Sequence, residues 1–290
     1  MVNSICIKTN NTNIIKNLLN SLNNIKINDV YLSQKEFKNY QNIIVHYRGS
    51  TIDLFYSKLA EILSNTIIEQ YEKTIIKRII NSNYFYFNEA EKRKIYNICN
   101  DSLLDSQNTQ FLERKDFIFV SFLKYIIYNK SLILDGFINF RLKDYLCILD
   151  DAVDFSVNKF LVEREYAEFV DLLKIYINSK ESQISMVHLI YINQESILLD
   201  SSHNLINTND HVFEAKYLSD ISFSSNDYAL NTLLTLLPQK INIHLIDSVE
   251  DEFINTLKLI FDNRVYLCND CNICKLYKNS TIESFNFNRK

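Results

Sequence analysis

Residues 137–192 read FINFRLKDYLCILDDAVDFSVNKFLVEREYAEFVDLLKIYINSKESQISMVHLIYI, and a change of rhythm inside this stretch decides the fold class. From Phe137 to Ile177 apolar residues recur at helical spacing, with Leu142, Leu146, Leu149, Val153, Val157, Phe160, Val170, Leu173 and Ile177 on one side. That is the 3.6-residue period of a helical segment about forty residues long. After Ser179 the period falls to two. Residues 184–192 and 196–199 alternate as paired strands do, joined through Asn193–Glu195. A helical section and a section built on strands therefore meet near residue 180.

Working outward from that boundary, residues 226–237 predict a helix that Pro238 stops, 240–246 a strand, 250–261 a helix and 265–267 a strand. Strand, helix, strand in that order favours a right-handed parallel crossover. Towards the N-terminus, residues 4–9 predict a strand, 13–22 a helix, and 29–32 and 42–47 two more strands. Gly49 interrupts the pattern, and Ser50 with Asp53 resembles a capping box opening a long helix whose stripe is Ile52, Phe55, Leu59, Ile62, Ile67, Tyr71, Ile75 and Ile79. Asn88 with Glu91 caps a second helix running to about Leu104, and residues 117–128 are apolar enough to predict a third, buried one. The expected fold class is α+β (mixed α/β). A small α/β unit occupies residues 1–49, a helical section 50–180, a C-terminal α/β unit 181–278 and a loose tail 279–290.

Composition narrows the function. The chain of 290 residues holds only two glycines, Gly49 and Gly136, and one proline, Pro238. Walker loops, G-x-G-x-x-G fingerprints and G-x-S-x-G elbows all need more glycine than this, so the usual nucleotide-binding and serine-hydrolase motifs are excluded. The formal charge of −4 argues against a general surface for nucleic acid. The longest apolar run, residues 117–128, is broken by Ser121 and Lys124 and falls short of the roughly 20 residues that span a bilayer, so no membrane partner is expected. No basic-then-apolar leader follows Met1, which points to the cytoplasm and, with it, to reduced thiols.

Chemistry concentrates at Cys268-x-x-Cys271-x-x-Cys274, where half of the six cysteines fall within seven residues. Two-residue gaps let neighbouring thiolates turn onto one centre, and thiolates select zinc, copper(I) or an iron–sulfur cluster over hard cations. Cys268, Cys271 and Cys274 are therefore the candidate metal ligands, for zinc or an iron–sulfur cluster. A redox-active thiol pair and three unliganded cysteines are the competing readings. Structural zinc takes four protein ligands, and the motif supplies three. His244 is a candidate for the fourth, although a histidine alternating with Ile243 and Leu245 reads first as a packed strand residue. His188 reads the same way, while His46, His203 and His211 have no partner motif. Cys6, Cys99 and Cys147 sit in apolar runs and predict core packing. Asp150 and Asp154 share a helix face beside Asp144 and Asp151, which reads as a solvated face before it reads as a cation site.

Several stretches also resemble a known family. Phe140-Arg-Leu-Lys-Asp-Tyr145, Phe160-Leu-Val-Glu-Arg-Glu-Tyr166 and Glu168-Phe-Val-Asp-Leu-Leu-Lys174 are similar to the long central helix of the YtxC-like family of sporulation proteins from endospore-forming Firmicutes. Thr232-Leu-Leu-Thr-Leu-Leu-Pro-Gln-Lys-Ile-Asn-Ile-His244, and Phe261-Asp-Asn-Arg-Val-Tyr-Leu-Cys-Asn-Asp-Cys271 with Cys274, resemble its ending. The resemblance is specific over roughly residues 137–274; before that, only length and the order of elements support it. A glycine often precedes the second cysteine in that family, whereas this chain has Asp270, a departure that bears on the tight turn there. The resemblance implies a cytoplasmic role in spore formation and supplies no reaction, substrate or catalytic residue. The expectation is a non-enzymatic factor with a structural or sensing Cys site and a protein partner. The alternative is an iron–sulfur enzyme of unknown reaction with an open iron.

Overall fold

The computed structural model describes residues 2–37, 40–105, 113–206, 224–247, 250–268 and 270–278. The expected tail at 279–290 and His211 lie outside the described residues. The chain divides into two compact units, Met1–Glu163 and Arg164–Lys290.

In the first unit, β1 (Asn3–Thr9), α1 (Thr12–Asn23), β2 (Val30–Phe37) and β3 (Tyr40–Tyr47) follow the alternation read from the sequence. The sheet runs β2-β3-β1-β4, with β1 antiparallel to β3 and parallel to β4 (Ser131–Ile133). At three residues, β4 is too short to announce itself by periodicity. It lies far into the expected helical section, yet it completes the N-terminal sheet. One core accordingly runs from Ile7 and Val45 of the sheet to Val153 and Phe160.

Helices α2 (Ile52–Thr66), α3 (Glu72–Asn83), α4 (Glu89–Leu104), α5 (Arg114–Tyr128) and α6 (Leu134–Arg141) surround that core. Three details differ from the sequence reading. Helix α2 starts after Thr51, not in a Ser50 capping box: the Tyr47 hydroxyl, its ring stacked 4.8 Å from Phe55, accepts the Thr51 N–H at 3.0 Å. A side chain at position 49 would place its Cβ 2.3 Å from that hydroxyl, so glycine is required there. The stripe from Ile52 to Ile79 is interrupted by a π-helical turn, Ile67–Tyr71. It feeds Glu72 inward, where Arg114 Nε donates to it at 3.0 Å and the Tyr145 hydroxyl at 3.1 Å. Helix α5 is not wholly buried, since Phe117, Val120 and Ile127 are exposed. The Asn88–Glu91 capping box forms as expected.

The long helical pattern is broken once. Leu142 leaves helical geometry (φ −103°, ψ 42°) between α6 and α7 (Lys143–Ser179). Its side chain is buried there together with Ile138 and Tyr145, so packing has overridden a locally continuous helical preference.

In the second unit the sheet runs β6-β5-β7-β8. Strands β5 (Met186–Ile192) and β6 (Glu195–Leu199) form a hairpin turned by Asn193 and Gln194, both left-handed at φ 51° and 64°. Two such residues match the twist of the flanking strands. Helix α8 (Ser225–Leu236) leads into β7 (Lys240–Leu245), and α9 (Glu252–Phe261) into β8 (Val265–Leu267), with β7 parallel to both β5 and β8. One sheet face is apolar: Val187, Leu189, Ile241 and Ile243 pack with Leu233, Leu257, Val170 and Ile177. The opposite face carries His188 and His244, with Ile190, Ile246 and Cys274 clustered beside them. Among the described residues, no helix is long and apolar enough to cross a membrane.

Arg264 fixes the approach to β8. Its guanidinium donates to the Ile177 carbonyl at 3.2 Å and to the Pro238 carbonyl and Ser182 hydroxyl at 3.3 Å, tying the end of α7 to the start of the last strand. Arg264→Ala is expected to destabilise this unit by about 1–3 kcal/mol in urea unfolding. Arg264→Lys should fail to restore it, because the planar fork is lost. A lysine variant as stable as wild type would contradict this role.

Candidate metal centre

The sheet hydrogen bonding carries the first cysteine to its place. After the Ile243–Leu267 register pair, the Cys268 amide donates to the Ile243 carbonyl at 2.8 Å, which sets Cys268 beside the strand position of His244. The chain then reverses at Asp270, whose φ is 92°. Residues 272–278 form a short helix, so Cys271 stands at its N-terminus and Cys274 one turn on. Cys268 thus lies just past the C-terminal end of a strand, where open α/β sheets place their sites.

The three sulfurs converge with His244. Cys271 and Cys274 Sγ are 3.9 Å apart, and Cys274 and Cys268 Sγ 3.7 Å. His244 Nδ1 lies 3.3 Å from Cys274 Sγ and 3.5 Å from Cys271 Sγ, and all four ligand atoms fall within 4.8 Å of one another. Tetrahedral zinc bonds of about 2.3 Å to sulfur and about 2.0 Å to nitrogen imply S···S edges near 3.8 Å and S···N edges near 3.5 Å. Four of the six edges of the observed group lie within about 0.2 Å of those values, so the donor set could hold a single metal ion. His244 is thus the fourth member that the motif lacks.

Burial governs the protonation of the group. His244 is 2% exposed, and burial, reinforced by His188, pushes its imidazole down to about 4, leaving it neutral at ordinary pH. Burial and the Cys271 thiol push Cys268 up to about 11. Burial also raises Cys271, but the amides of Cys274 and Ile273 at the helix start and the neighbouring thiols outweigh it, and the net shift is downward. A neutral imidazole and one favoured thiolate are the states in which these side chains bind a soft metal.

An open cleft of about 390 Å³ lies alongside, lined in part by His188, His203, Asn242 and Asn272. His188 Nδ1 is 2.9 Å from His244 Nε2. The His203 ring sits 4.9 Å from that of His188, on a left-handed residue (φ 66°) whose loop is tied by Asp200 accepting the Ser202 and Asn204 amides at 2.8 Å. His188 reads from the sequence as an ordinary strand residue. By strand alternation, His188 and His244 occupy the face that the apolar helices do not cover.

The remaining candidates lie elsewhere. Cys99 is buried and Cys6 half-buried, but Cys147 is exposed, correcting its assignment to the core, because α7 turns that position outward. Asp150 accepts from Asn83 at 3.1 Å and Asp154 from the Tyr84 hydroxyl, so this helix face docks the end of α3. His46 is held between the Ser4 and Ser33 hydroxyls, at 2.8 and 3.1 Å, across three strands. Among the described residues, the grouping of His, Cys, Asp and Glu able to hold a metal ion is His244, Cys268, Cys271 and Cys274.

The YtxC-like family model matches residues 57–266, most of the chain, and the chain belongs to that family. The match includes His188 and His244 and stops two residues before Cys268. No curated protein and no solved structure matches the chain.

The turn at Asp270 yields a prediction. A φ of 92° is natural for glycine and strained for aspartate. Asp270→Gly is therefore expected to stabilise the unit by about 1 kcal/mol in thermal unfolding, and Asp270→Ala to give no such gain. Equal or lower stability in the glycine variant would contradict the strained turn.

Proposed function

We propose that this YtxC-like protein is a non-enzymatic factor acting in the cytoplasm during sporulation, and that Cys268, Cys271, Cys274 and His244 together bind one zinc ion. The observation that carries the metal reading is the convergence of the four ligand atoms within 4.8 Å of one another, with four of their six separations, 3.3–3.9 Å, near those of a zinc tetrahedron. Four protein ligands leave zinc no open position, which is the mark of a structural or sensing site. The process is what the chain's resemblance to the YtxC-like family implies. The protein acts through another protein, engaged by the long helix or by the α/β surfaces; the net charge of −4 favours such a partner over nucleic acid.

An iron–sulfur enzyme is the alternative. A 4Fe–4S cluster with an open iron presents each thiolate to a different iron and so spreads the sulfurs apart, whereas here Cys274 Sγ lies 3.7 Å from that of Cys268 and 3.9 Å from that of Cys271. Contact at that range favours one shared ion. Colour separates the two readings: anaerobically purified protein is expected to be colourless with one zinc per chain, and a brown protein absorbing in the visible would support the cluster.

Cys271→Ser is expected to lose most of the bound metal while helical circular dichroism stays near wild type, because most of the helical structure lies outside the second unit. Wild-type protein without metal by elemental analysis would overturn the site. Deleting the gene should lower or delay heat-resistant spore formation and leave vegetative growth near normal. Unchanged spore counts and timing in a strain with no second copy would overturn the assignment to sporulation.

A further inference from the structure

The hydrogen bond behind His244 extends the metal reading by one residue. His188 is 7% exposed and lies on β5, diagonal to His244 on β7, since Ile190 is the register partner of His244. Its Nδ1 is 2.9 Å from His244 Nε2, the ring centroids are 5.2 Å apart and the ring planes differ by 27°. The centroid separation equals the N···N distance plus two ring radii of about 1.1–1.2 Å, so the contact runs nearly along the line joining the centroids, as a good N–H···N bond does.

An ion on His244 Nδ1 would decide which nitrogen carries which proton in this contact. A histidine that binds metal through Nδ1 has its lone pair there and its proton on Nε2. That proton points at His188 Nδ1, so His188 must present a lone pair and keep its own proton on Nε2. Two N–H groups cannot face each other at 2.9 Å. Without an ion the opposite pattern, His188 Nδ1–H donating to His244 Nε2 and His244 Nδ1–H to a cysteine sulfur, would serve the same contacts; an ion on His244 Nδ1 selects the first, and His188 Nε2 is buried without a hydrogen-bond partner among the described residues in either.

We propose that His188 is the positioning residue of the Cys₃His centre: by accepting from His244 Nε2–H it holds the His244 ring in the tautomer and orientation that bind the ion. This inference rests on the metal site proposed above. Partners of this kind typically change metal affinity by about 10- to 100-fold. The role belongs to a hydrogen-bond acceptor and not to the imidazole as such, so asparagine, whose Oδ1 stands close to the position of Nδ1, should replace it.

The test measures zinc affinity by competition with a chromogenic chelator for wild type, His188→Leu and His188→Asn. The leucine variant is expected to bind about 10- to 100-fold more weakly, and the asparagine variant within a few-fold of wild type. Wild-type affinity in the leucine variant, or an asparagine variant as weak as leucine, would overturn the proposal and leave the metal site standing. Wild-type protein that binds no zinc would defeat both. Should the leucine variant fail to fold, ¹⁵N imidazole spectra of zinc-loaded wild type decide the matter: protonated His244 Nε2 opposite unprotonated His188 Nδ1 supports the pairing, and a proton on either Nδ1 overturns it.

Discussion

A single backbone hydrogen bond, from the Cys268 amide to the Ile243 carbonyl at 2.8 Å, is the constraint on which the candidate centre depends. It prolongs the β7–β8 ladder past its last register pair and so converts a position in the sheet into the position of a thiol. Everything upstream serves that register. Helix α9 carries the chain back across the sheet, Arg264 anchors the turn before β8, and the apolar face under β5 and β7 holds the sheet against its helices. Everything downstream exploits it. The reversal at Asp270 and the start of the last helix return Cys271 and Cys274 to the strand bearing His244, thirty residues earlier in the chain.

The energetics of such a cluster point the same way as its geometry. A buried imidazole, one buried thiol and two half-buried ones lose hydration, and thiolates packed together repel. The group answers this by dividing its charge: burial holds Cys268 protonated, while the amides at the helix start favour the thiolate of Cys271. A divalent ion bound there would resolve the conflict by replacing the protons and neutralising the repulsion. Its bonds would join the sheet to a segment that otherwise has little core of its own, since the buried cluster around it is Ile190, Leu199, Ile246 and Cys274 with a few half-buried neighbours.

The sequence made much of this legible, and its failures have physical causes. The change from period 3.6 to period 2 near Ser179 located the second sheet, because alternation with one covered face is a strong signal. Cys268, Cys271 and Cys274 were readable because ligand spacing within one segment is local. His244 was visible only as a weak candidate, since Cys271 and Cys274 lie 27 and 30 residues away and its strand neighbours Ile243 and Leu245 suggest packing. His188 reads as a strand residue, as it is, and its contact with His244 comes from a neighbouring strand 56 residues on, which leaves no local trace. The three residues of β4 offered no period to detect, and the break at Leu142 comes from core packing with no proline or glycine to mark it. The division between Glu163 and Arg164 is silent in sequence because it falls inside one continuous helix.

Family membership and the candidate centre are complementary. The match over residues 57–266 contains both histidines but ends before the cysteines, so the centre rests on its own geometry and not on the family. The most direct measurement is therefore of the ligand shell. X-ray absorption at the zinc edge of the as-isolated protein should show three sulfur neighbours at about 2.3 Å and one nitrogen at about 2.0 Å. Protein without bound metal, or a metal with a shell lacking either the sulfurs or the nitrogen, would contradict the account.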